Sequence, residues 1–169
     1  MQFASFGRFV FIAQWILAVL LPIWVVIGRG LVGAPLGWWV VFGAIYGIAF
    51  VIGLLVPPVI ALFDSPARQR ATVRTGYAVS MIAVWVPMFL SGLAVPDGGD
   101  DGVVGSALTN WTGMSDDTSM IIFLLCGAIA FVAWLAALVF AIASIVRGSK
   151  ESAPQVPAAY SPPPPAARF

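Results

Sequence analysis

Polar positions are scarce along this chain, and where they fall divides it. Residues 9–27, 36–63, 77–95 and 119–146 form four runs without a single Asp, Glu, Lys or Arg. Each run is close to or longer than the roughly 20 helical residues that cross the hydrocarbon core of a bilayer. The runs lack the apolar–polar alternation of a barrel strand. A helix satisfies each backbone group inside its own segment, as hydrocarbon requires. The pattern predicts an all-α integral membrane bundle of four transmembrane helices.

The run boundaries agree with that reading. Gly28 and Gly30 follow the first run and suit a helix end. Pro35 suits the first turn of the second helix, where its missing N–H costs nothing. Ser65-Pro66 resembles an N-cap followed by a first-turn proline, so the third helix is expected to start in the 64–76 segment and enter the membrane without a break. Asp116 and Asp117 stand before the fourth run and Arg147-Gly148 after it, each charge complementing the helix dipole. The first run is longer than a signal-peptide core and no small-x-small cleavage site follows it, so it is read as an uncleaved helix. Residues 1–148 are expected to be the membrane domain. Residues 149–169, with Pro162–Pro165, are expected to be a disordered, proline-rich cytoplasmic tail with polyproline II character.

Charge then supplies a direction. Of 169 residues 61% are hydrophobic and only 9% charged, with mean hydropathy +1.01, so the few charges matter by position. Three arginines, Arg68, Arg70 and Arg74, crowd into "DSPARQRATVRTG" between the second and third runs. With Arg8, Arg147, Lys150 and Arg168 they place seven basic residues on one side of a four-helix thread, against Arg29 alone on the other. This positive-inside bias predicts that both termini and the 64–76 segment are cytoplasmic. Asp97, Asp100, Asp101, Asp116 and Asp117 fall on the opposite side, in a 96–118 segment expected to be a flexible, acidic external loop with Trp111 dipping to the interface. Trp24, Trp38 and Trp39 are expected at the outer interface and Tyr77 at the inner one. The Arg68, Arg70 and Arg74 cluster reads as a topology signal. As an anionic-lipid site it falls short of the usual four or more basic residues.

Candidate chemistry is sparse. Gln14 is the one amide inside a run; it can bond across helices but cannot carry a proton. Pro22, Pro57, Pro58 and Pro87 are expected to kink their helices and free carbonyls near Ala18, Gly53, Leu54 and Ala83. The adjacent Pro57-Pro58 pair is where the second helix would end or turn. Small residues fall at helical spacing: Gly43 and Gly47 in the second run, and Gly127, Ala130, Ala133, Ala137 and Ala141 in the fourth, a pattern that lets helices approach closely. The aspartates around 97–101 lack the ligand alternation and terminal Glu of an EF-hand loop, so no metal or cofactor is expected.

With no histidine, a lone Cys126 and no nucleophile motif, an enzyme is not expected. The first expectation is a non-catalytic accessory, scaffold or envelope-associated membrane subunit. The alternative is a small oligomeric transporter or pore for lipophilic molecules, suggested by the prolines and Gln14. Expected partners are the lipid bilayer, a membrane protein or a second copy, and a cytoplasmic partner for the tail; no nucleic acid is expected. The Arg-over-Lys, Ala/Gly/Val-rich composition resembles that of high-GC bacteria, so the plasma membrane of a bacterium is the expected location.

Overall fold

In a computed structural model, which describes residues 2–34, 36–99 and 102–151, the apolar runs are helices. They are α1 (Gln2–Val26), α2 (Trp38–Ala61), α4 (Thr75–Ala94) and α6 (Asp116–Glu151). All four are long and apolar enough to cross a membrane. Shorter elements join them: a 3-10 turn at Gly28–Val32, α3 (Ser65–Arg70), an antiparallel hairpin of β1 (Asp97–Gly99) and β2 (Gly102–Val104), and α5 (Ala107–Thr112). The proposed tail beyond residue 151, Pro35, and the aspartates at 100 and 101 lie outside the described residues.

The helices run up and down. Contacts link α4 to α6, α4 to α1, α1 to α2, and α2 to α6, closing a ring. One end of the bundle carries the 3-10 turn, the hairpin and α5 (the hairpin end). The other carries the 62–74 segment (the arginine end). The core lies between α1, α4 and α6 and includes Val10, Leu21, Tyr77, Met81, Val84, Ala137 and Ala141. The four helices are unequal: 61% of the α4 span is buried but only 6% of the α2 span. Thus α4 is the hub and α2 stands at the edge.

Four expectations are corrected. The third membrane helix does not begin at Ser65. Residues 65–70 form the separate α3, whose N-cap is Asp64. Ala71 then turns the chain with φ 48° before α4 starts at Thr75. The second helix does not stop at Pro57-Pro58 but continues to Ala61. Arg147-Gly148 does not close the last helix, which reaches Glu151; Gly148 is an interior position where the missing side chain admits Asp64. Finally, the 96–118 segment is not a loose loop. Its hairpin and α5 are folded onto the bundle, as the next section describes.

Candidate functional site

The hairpin end is built around an ion pair absent from the expectations. The Arg29 and Asp97 side chains are both fully buried and bonded to each other through Nη2 and Oδ2. The 3-10 turn brings in Arg29. The extended backbone after α4 brings in Asp97, and Arg29 Nη1 also donates to the Val95 carbonyl at 3.0 Å. Burial lowers the Arg29 pKa from its ordinary value by desolvation. An arginine stays protonated all the same, because that ordinary value is far above neutrality.

Asp97 does a second task. The start of α2 has unpaired N–H groups and no capping side chain of its own, since its N-cap is Gly37. Asp97 supplies the cap from about sixty residues away in sequence: Gly37 N donates to Oδ2 at 2.7 Å and Trp39 N to Oδ1 at 3.0 Å. Gly98 N donates to Oδ1 at 2.8 Å. With Arg29, four donors occupy the carboxylate, which fills its ordinary acceptor capacity. Asp97 is therefore a tie that joins the 3-10 turn, the start of α2 and the hairpin.

Further bonds fasten the same end. Ser119 Oγ donates to the Ala94 carbonyl at 2.6 Å, which uses its only proton, so Ser106 Oγ is the donor in the 2.6 Å Ser106–Ser119 contact. Ser106 Oγ in turn accepts from Thr109 N and caps α5. Asn110 Nδ2 donates to the Gly33 carbonyl at 3.1 Å. Trp39 Nε1 donates to the Pro96 carbonyl at 3.1 Å, and Trp24 Nε1 to the Phe89 carbonyl at 2.9 Å, with Trp24 stacked on Phe89. Trp24 and Trp39 thus face backbone acceptors, whereas Trp38 and Trp111 are at least half exposed.

Deeper in the bundle, Gln14 meets Tyr77. The Tyr77 hydroxyl donates to Gln14 Oε1 at 2.8 Å, and Gln14 Nε2 donates to the Phe11 carbonyl at 3.1 Å. Tyr77 is 1% exposed, and its hydroxyl finds its partner across the helices. The prolines lie buried within helices. Pro57 has no N–H to give the Gly53 carbonyl, and Trp134 Nε1 from α6 donates to that oxygen instead, at 2.9 Å.

The small residues divide. Ala137 and Ala141 are fully buried, Ala130 nearly so and Ala133 partly. Gly43 takes the Val26 side chain against its backbone, where a Cβ would collide. Gly47 and Gly127 face open space. At the arginine end Arg68 and Arg70 are exposed, while Arg74 Nε reaches the buried Asp64 at 3.4 Å. Three arginines adjacent in sequence therefore have two different settings.

Sequence reasoning found Gln14, the freed Gly53 carbonyl and the alanine face. It missed Arg29, Asp97, Asp64, Ser106, Ser119 and Trp134 as structural partners. One signal was present for the first two: a lone basic residue and an acidic residue predicted at the same end of a low-charge bundle. No protein-family model, curated protein or solved structure matches this chain.

Proposed function

We propose that this protein is a non-catalytic membrane subunit that holds another membrane protein, with both termini in the cytoplasm and the hairpin end outside. The observation that carries this reading is the contrast between α4 and α2. Gln14, Tyr77, Trp134 and the Arg29–Asp97 pair are used in ties between elements, yet α2 keeps only 6% of its span buried. Its exposed residues include Phe42, Tyr46 and Phe50, each one turn from the next along a single face. Tyr46 lies about 12 Å along the helix from Trp38, deep in the apolar span. Its hydroxyl has no hydrogen-bond partner among the described residues. A phenol at that depth is better satisfied by a protein acceptor than by acyl chains.

The seven-to-one distribution of basic residues supports the orientation. The test is a photo-crosslinking amino acid at Tyr46 in the native membrane, with Val146 on α6 as an exposed control. A stoichiometric adduct to a different protein from position 46 alone is expected. Adducts only to lipid overturn the reading. Adducts only to a second copy of the chain replace it with the oligomeric transporter or pore.

A further inference from the structure

Asp64 is 2% exposed, and its Oδ1 accepts no hydrogen bond among the described residues. Its other oxygen has Arg74 Nε at 3.4 Å. Beside it lies a small cavity lined by Asp64, Arg74, Tyr77, Ala141 and Ser144, among others, with about 10 Å³ of room for the centre of a water molecule. That is about the least space that holds one water. Two lining residues have turned their own protons elsewhere: Ser144 Oγ donates to the Phe140 carbonyl at 2.8 Å, and the Tyr77 hydroxyl donates to Gln14. The cavity therefore adjoins one carboxylate oxygen without a donor and two hydroxyls whose protons are already used.

We propose that Asp64, Ser144 and the residues around them form a binding site for a single water molecule, which donates to Asp64 Oδ1. A buried charged acceptor left without a donor bears the full loss of its hydration, and ordered water is the usual remedy at such positions. A metal cation fits less well, because the Arg74 guanidinium already stands against the same carboxylate. The site joins the end of α2, α3, the start of α4 and the end of α6. Gly148 belongs to it as well, since a side chain there would strike Asp64 Oδ1. The water makes Asp64 the common joint of the arginine end.

The test uses the full chain in lipid bilayers, with alanine methyl groups isotopically labelled, and follows magnetisation transfer from water by solid-state NMR. Ala137 and Ala141 are both fully buried, one turn apart on the same helix, and only Ala141 lines the cavity. Transfer to Ala141 without transfer to Ala137 is expected, and Asp64→Leu should abolish it. Should Asp64→Leu fail to fold, Ser144→Val, which fills the cavity, serves in its place. Transfer to Ala141 no greater than transfer to Ala137 in the unaltered protein means that no ordered water stands beside Ala141 and overturns the proposal. A rise in Tm when sodium or ammonium replaces choline, lost in Asp64→Asn, would assign the site to a cation and overturn it equally.

Discussion

Trp134 shows how one N–H can repair what one proline removes. If the indole replaces the amide that Pro57 lacks, Trp134→Phe should lower stability by about 1 kcal/mol, the scale of an interhelical hydrogen bond in membranes. In a Pro57→Ala background the residue at 57 regains its N–H, so the same change should cost much less. Thermal unfolding in detergent of the four members of this cycle measures the coupling, and equal losses in both backgrounds would refute it. The Arg29–Asp97 pair makes a second case. Asp97→Ala strands a buried guanidinium and should cost about 3–5 kcal/mol; Arg29→Met/Asp97→Ala should cost less than Asp97→Ala alone, because no charge is then left unpaired. The freed carbonyl at Gly53 was legible in the sequence, since proline chemistry is local. The indole that fills it was not, since it stands 81 positions away and no periodicity links the two. Arg29 and Asp97, 68 positions apart, shared a predicted end of the bundle, but with several aspartates at that end nothing local paired them.

At the scale of elements, Ala71 holds a left-handed conformation, φ 48°, between α3 and α4. An L side chain is strained there and glycine is not, so Ala71→Gly should raise stability by up to about 1 kcal/mol, net of glycine's greater freedom in the unfolded chain. An unchanged or lowered Tm would show that Ala71 bears no strain in this turn. On α6, Ala137 is fully buried in the core, so Ala137→Leu should cost about 1–3 kcal/mol through overpacking. Ala136 lines a shallow apolar groove on the outer surface of α6, and leucine there should be nearly neutral. Similar unfolding temperatures for the two variants would mean that α6 is rotated differently. Four membrane-length helices could be read directly from the sequence because charge-free runs of this length have few other solutions. Their ends were harder. Gly148 resembles a stop signal, but the residue is needed for Asp64, and Ser65-Pro66 starts a short helix of its own.

For the whole molecule, the proposed orientation predicts opposite labelling at the two ends. With Cys126 replaced by Ala, Thr112→Cys should react with an impermeant thiol reagent on intact cells and Gln69→Cys should not; both positions are exposed. The reverse pattern would invert the protein in the membrane. The hairpin and α5 could not be foreseen, because a Gly- and Asp-rich segment has the composition of a loop whether or not a buried partner pins it. That pin also sets an order in time. Arg29 leaves the ribosome 68 residues ahead of Asp97. At about 5–20 residues per second, synthesis leaves the guanidinium waiting roughly 3–14 s for its carboxylate, with the start of α2 uncapped throughout. The nascent chain thus passes through a stage in which its first two helices are made but lack the Asp97 tie, and a pause in translation before codon 97 would lengthen that stage and expose the intermediate to membrane proteases.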